Sequence, residues 1–326
     1  MRIYVIQRRQ VTRSGLFFGL FVLAFMLALQ VRGVERRLFG VKPGVMLDGK
    51  PVAGLLPAEL TEIIKRMAVK YERQARNAMY FLETGQIIPE QQGITVDVAG
   101  TVRLVCAAKA QARLRPITRP VPPAITREYF TPVFRGAPDR PEAALAINVA
   151  WGEESLPAML AILKQENVRA TFFFVGDWAR KFPEMVRETA AAGHEIGNHG
   201  LYHGQPRTLT REELSRMILE NNTLLASIIG RQPPPLFAPP SGEFDQRTVG
   251  ITAELGYRTI LWTVDTIDWK RPSPDLIHAR VVNKVENGAI ILMHPTAPTV
   301  AALPGVIKAL KEKGLKLVTV GELLRK

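Results

Sequence analysis

The chain opens on an uncharged apolar run, Gly15 to Val31, and its second half alternates short apolar runs with amphipathic segments. The first run is at the short end of the roughly 17 to 25 residues that a helix needs to cross a hydrocarbon core. Arg2, Arg8, Arg9 and Arg13 precede it and Arg32, Arg36 and Arg37 follow, so arginines at both ends can snorkel to the interface. This predicts an anchor over residues 14–33 behind a basic cytoplasmic stub, 1–13. A cleavable signal peptide is the alternative, and the residues from Gln30 to Gly33 make no convincing small-residue cleavage motif. An anchored chain would cross the plasma membrane once and carry the rest of its length outside the cytoplasm.

From Ala144 onward, apolar runs predict strands at Ala144 to Val149, Ala170 to Phe174, Thr259 to Trp262, Ala289 to Met293 and Leu315 to Val320. Helical spacing fills the gaps at Leu156 to Lys164, Phe182 to Ala192, Arg211 to Ile229 and Val300 to Lys313. The third of these helices opens on the capping box Thr210-Arg211-Glu212-Glu213. Such alternation gives a parallel sheet, open or closed into a barrel, with chemistry at the C-terminal ends of its strands. This α/β domain is placed at residues 142–326.

Between anchor and main domain, residues 44–115 predict a small α+β domain. It has a strand and turn at Val45 to Val52, a helix over Leu60 to Lys70, a strand at Ala78 to Leu82 and an apolar helix from Thr101 to Ala112. Prolines 116, 120, 122, 123, 132, 138 and 141 then predict a stiff, extended linker over 116–141.

Composition narrows the chemistry. With 326 residues, 47% of them hydrophobic, the chain can build one large core and a smaller one. The lone Cys106 excludes an intramolecular disulfide, so any metal must use His, Asp or Glu. The net charge of +13 is uneven: the basic excess is +7 over residues 1–43, +4 over 44–133 and +2 over the remainder. A nucleic-acid enzyme concentrates basic residues around its site, so nucleic acid is excluded as the expected partner.

Of the five histidines, His199 and His203 are four apart among Gly197, Gly200, Gly204 and Pro206, and His294 closes the strand Ile290 to Met293. The pair alone is either a metal site or two hydrogen-bonded loop imidazoles. His194 and His278 carry no predicted function, the first packing beside its strand and the second lying on a helix face.

The order of segments resembles carbohydrate esterase family 4, the NodB-type polysaccharide deacetylases. The matching segments are Ala170 to Gly176, Gly193 to His203, Phe237 to Gly242, Asp265 to Trp269 and Leu292 to Pro295. The resemblance implies a distorted (β/α) barrel and hydrolysis of acetamide groups on N-acetylated cell-wall glycan. It also implies a divalent metal, zinc first, on His199 and His203, with His294 as acid. The backbone N–H of Ser241 would hold the oxyanion, and Asp265 and Asp268 would form the acidic motif. Residues 44–115 more loosely resemble a small peptidoglycan-binding domain of cell-wall proteins, with a ligand-free spacer as the equal alternative.

One side of that mechanism is missing. Where the family has paired aspartates before a glycine, this chain has Ala150 and Trp151 before Gly152, and Ala238 replaces the arginine that normally pairs with the acidic motif. Loss of a general base costs about 10² to 10⁴ in rate. Glu153 or Glu154 could substitute, or could simply open the following helix at its positive end. Trp151 is expected to fill the volume of the ion and its water, and Trp269 to buttress a neighbouring histidine. Trp151, Tyr202, Pro240 and Trp269 would line a sugar groove, with core packing as the alternative for each aromatic. The predicted function is therefore a membrane-anchored family member that hydrolyses or binds wall glycan, or a catalytically inactive relative that binds glycan or unidentified protein partners. The altered strand end resembles a branch associated with endospore-forming bacteria, which implies a sporulation setting.

Overall fold

A computed structural model describes residues 8–325, with side chains from Phe17 onward. Residues 1–7 of the expected stub lie outside the described residues. A single helix, Arg8–Phe39, contains the apolar run. Its exposed part, Phe17–Phe39, is 23 residues long with mean hydropathy 2.0, long and apolar enough to cross a membrane. It extends beyond the predicted 14–33 because Val34, Leu38 and Phe39 continue the exposed apolar surface past the arginines.

The remainder divides into two units. One runs to Arg76 and resumes from Gln91 to Pro122; the other holds Asn77–Glu90 and everything from Pro123. In the smaller unit the helix Pro57–Tyr71 buries Leu60, Ile64 and Met67, as their spacing predicts. The tight turn at Asp48 and Gly49, both at positive φ, returns Met46–Leu47 onto Lys50–Pro51. The second helix is Val98–Cys106, started by Asp97 accepting from Gly100 N at 2.8 Å. It stops short of the predicted Ala112, and Gln111 adopts a positive φ that no helix can absorb.

Two expectations about organisation are corrected. The strand predicted at Ala78 to Leu82 is half of a hairpin, Met79–Phe81 with Gln86–Ile88, that belongs to the large unit rather than to a domain spanning 44–115. Tyr80 anchors it, with its ring 6.5 Å from that of Phe130 and its backbone N–H donating to Glu254 at 3.0 Å. The 116–141 stretch is folded rather than a free connector. Thr118–Val121 pairs antiparallel with Gly93–Val96 as a two-stranded ribbon, where Pro120 is tolerated because such a strand has an unpaired side.

The large unit is built on eight parallel strands: β1 Glu142–Val149, β2 Thr171–Phe174, β3 Glu195–Asn198, β4 Leu236–Phe237, β5 Arg258–Thr259, β6 Val264–Asp265, β7 Ala289–Met293 and β8 Lys316–Val318. Their order is β5-β4-β3-β2-β1-β7-β6, with β8 paired to the start of β1. Val133 bridges to Ile260 and Arg135 to Ala289, so one short segment spans the gap between the sheet's two sides. The result is a curled, barrel-like parallel sheet. The run predicted as one strand, Thr259 to Trp262, is interrupted, because Leu261 N–H turns to the Val133 carbonyl.

β1 shows how sequence sets the barrel. Side chains alternate between faces. Leu145, Ile147 and Val149 join the core between sheet and helices, whereas Ala144 and Ala146 face the barrel interior beside Phe173. The small alanines leave room for that ring, and Gly197, in register with Phe173, has no Cβ to overlap it. Asn148 follows with the parity of the inward face, at the top of the barrel.

Candidate functional site

A cavity of about 390 Å³ opens at the C-terminal ends of the strands. β1 and its following turn supply Asn148 and Trp151, the loop after β3 supplies His199 and His203, and the turn after β4 supplies Ser241 and Gly242. Trp262, Asp265, Trp269, Leu292 and His294 complete it from the segments around β6 and β7. This is where a barrel of this hand concentrates its chemistry.

His199 is fully buried and its Nδ1 lies 2.6 Å from the carbonyl of Ala238. A carbonyl only accepts, so Nδ1 carries the proton and Nε2 keeps its lone pair. Burial holds the imidazole neutral, with its pKa lowered to about 3. His203 packs edge-on to it, ring centroids 5.4 Å apart, and its pKa is also lowered, first by desolvation and opposed by a backbone hydrogen bond.

His294 is held by a buried carboxylate. Asp268 Oδ1 accepts from its Nδ1 at 2.7 Å, while Oδ2 accepts from the His294 backbone N–H and the Thr299 hydroxyl, each at 2.7 Å. Three donors on a fully buried carboxylate fix the ring's orientation and leave Nε2 toward the cavity. Asp268 is thus a positioning residue for His294, within the acidic segment that the sequence singled out. Asp265 lines the cavity, and its Oδ1 accepts from Ile267 N–H at 2.7 Å. No Lys, Arg or His pairs with it among the described residues. Ser241 adopts a left-handed conformation, φ 58° and ψ 10°, which turns its backbone into the cavity wall.

Several sequence expectations are corrected here. The ring buttressing a histidine is Trp151, stacked on His294 at 5.5 Å between centroids and 10° between planes. Trp269 instead lines the rim, half-exposed, with Lys270 Nζ 4.9 Å from its ring centroid. Trp151 therefore packs on the His294 side of the cavity rather than plugging the space beside His199 and His203. Glu153 accepts from Trp178 Nε1 at 3.3 Å, and its pKa is lowered by a backbone N–H and that indole. Neither it nor the exposed Glu154 lines the cavity, so neither glutamate is placed as a substitute base. Tyr202 and Pro240 are absent from the lining, the first covering Gly204 and the second buried.

Asn148 and Trp262 do line the cavity and were not singled out. A polar residue ending the apolar strand Ala143 to Val149 was the available signal for Asn148. Trp262 had no signal beyond its place at the end of an apolar run.

The donor set does not fit the metal that the resemblance implies. A catalytic divalent site takes three protein ligands and an open position. No group of three His, Cys, Asp or Glu side chains capable of holding an ion exists among the described residues. Ala150, at the strand end where a carboxylate is expected, packs against the core between sheet and helices.

Comparison with known proteins identifies the family. Residues 135–260 match the polysaccharide deacetylase family. The chain is 38% identical over 270 residues to the uncharacterized protein YlxY of Bacillus subtilis, covering 81% of this chain and 83% of that one. It is 34% identical over 198 residues to a peptidoglycan-N-acetylglucosamine deacetylase of Bacillus cereus, covering 59% of this chain and 72% of the relative. Among solved structures, a carbohydrate esterase family 4 pseudoenzyme from Bacillus anthracis superposes with TM-score 0.59 and 36% identity, over 82% of this chain and 95% of that one. A mutant of the pseudoenzyme with restored enzymatic activity superposes equally well at 35% identity, over 82% and 98%.

Proposed function

Because the chain belongs to the polysaccharide deacetylase family, carbohydrate esterase family 4, we propose that it is a membrane-anchored member that holds cell-wall glycan of the peptidoglycan type without hydrolysing it. One observation carries the reading. At the strand end where the family places its paired aspartates stand Ala150 and Trp151, and the indole is stacked on the one retained acid, His294. Without the base, rate falls by about 10² to 10⁴, and damage around a metal site alone weakens its affinity about 10 to 100-fold. The losses compound, since they fall on the same water molecule.

What remains suits binding. The cavity is of the size that small ligands occupy and mixes indole faces with a few convergent polar groups. Flat aromatic faces stack on the apolar faces of sugar rings, and the peptidoglycan deacetylases among the relatives point to the same polymer. The apolar helix Phe17–Phe39 supports anchoring, with both folded units on the outer side of the membrane. An endospore-wall setting is the finer form of the proposal. The small unit would assist in retaining the polymer.

The test uses the full chain in detergent. We expect bound zinc well below stoichiometric, no acetate released from N-acetylated glycan oligomers, and retention of labelled peptidoglycan fragments. Stoichiometric zinc together with acetate release abolished by His203→Ala would overturn the reading.

A further inference from the structure

We propose that the cavity selects an amino sugar whose nitrogen is free and protonated, so that the wall glycan held here is de-N-acetylated at the bound residue; this rests on the glycan-binding reading above.

Asn148 is the first of three acceptors. Its side chain is 4% exposed, lines the cavity and makes no hydrogen bond, and its Oδ1 is a buried acceptor without a partner. Buried polar groups are almost always satisfied, so an orphan facing a cavity is satisfied by what enters it. Asp265 shares the cavity and has no cationic partner among the described residues, since Ala238 stands where the family has arginine. The third group is His199 Nε2, an acceptor because Nδ1 donates to the Ala238 carbonyl. Three unlike residues thus present lone pairs and one carries a negative charge. No lysine or arginine lines the cavity. Of the nearby cations, Lys270 lies over the rim indole of Trp269, and Arg280 donates to the Thr266 carbonyl at 2.8 Å rather than to the Asp265 carboxylate.

An acetamido group matches this poorly. It is neutral and offers one N–H to three acceptors; its carbonyl oxygen can accept from Asn148 Nδ2 or the Ser241 N–H, but Asp265 is left unpaired and newly desolvated. A primary ammonium offers three donors and a compensating charge. The Trp262 ring lines the same cavity and attracts the same cation. Removal of the family's carboxylates, metal ligand and arginine therefore leaves a receptor for the product of deacetylation. It is unsuited to the substrate.

The experiment titrates the full chain in detergent with three tetramers: glucosamine with free amines, the same oligomer fully N-acetylated, and glucose. Conditions are about pH 6, where the amines are protonated, and about 0.15 M salt, to screen non-specific attraction. The free-amine tetramer should bind about tenfold or more tighter than the N-acetylated one. Asp265→Asn keeps the acceptor for Ile267 N–H and removes the charge, and should abolish that preference. If this variant does not fold, Asn148→Leu should weaken the free-amine tetramer about tenfold and the N-acetylated one less. Equal or tighter binding of the N-acetylated tetramer overturns the inference and leaves glycan binding standing. So does a preference that survives Asp265→Asn, or an Asn148→Leu variant that weakens both oligomers alike. Binding of none of the three overturns both.

Discussion

At the scale of single residues, the histidines divide by what their ring nitrogens touch. His294 donates to a carboxylate, His199 donates to a carbonyl, and His194 accepts the backbone N–H of Ala170 at Nδ1, 3.2 Å away, with its pKa lowered to about 4 by burial first and Arg169 second. A folded-state pKa below the unfolded value of about 6.5 means the unfolded chain binds more protons between the two. The contribution of His194 is therefore fully present above about pH 6.5 and is lost as pH falls toward about 4. His199 behaves alike, with its loss extending toward about pH 3. Glu195 opposes the trend, since burial raises its pKa and favours the folded state at lower pH. His194→Asn keeps an acceptor for Ala170 N–H and removes the titration. Urea midpoints followed by tryptophan fluorescence should show the loss of stability between about pH 7 and pH 4 reduced by about 2–3 kcal/mol relative to the parent. An unchanged pH profile would contradict the assignment. Residue identities were legible where a motif named them, as with His199, His203, His294 and Asp268. Asn148 was hidden because its role depends on which face of β1 meets the barrel interior, and the Trp151 stack because partner choice among three indoles is a matter of tertiary geometry.

At the scale of elements, the turn after β1 carries the site. Gly152 has φ +93°, and a Cβ there would collide with the Pro295 carbonyl, next to His294. Close approach of these two loops is what lets Trp151 lie flat on the imidazole. Gly152→Ala must either strain the backbone or push the loops apart, and should cost about 2–3 kcal/mol in urea denaturation. A variant as stable as the parent would show that the loops are not tightly joined. Long elements were legible in the sequence because their pattern is unambiguous: β7 and the helix Arg211–Ile229 match residue for residue. Two-residue strands such as β4 and β6 were not, because a pair of residues has no periodicity. The hairpin Asn77–Glu90 read as part of the first domain because contact with Phe130 and Glu254 leaves no local trace in sequence.

At the scale of the whole molecule, a family barrel is kept intact while the catalytic half of its mouth is exchanged. The retained parts are structural as well as chemical: Asp268 bonds a backbone N–H and Thr299 in addition to His294, so it stabilises the loop even where no acid is needed. The exchanged positions, Ala150, Trp151 and Ala238, are those where the family resemblance implies the base, a metal ligand and the paired arginine. The proposed function requires activity and scaffold to be separable, and acetate release from an N-acetylated glycan oligomer with zinc supplied measures this directly. The measurement compares the parent chain with the Ala150→Asp, Trp151→Asp, Ala238→Arg triple variant. No release above buffer is expected from the parent, and measurable release from the triple variant. Zinc-dependent release by the parent would contradict the proposed function.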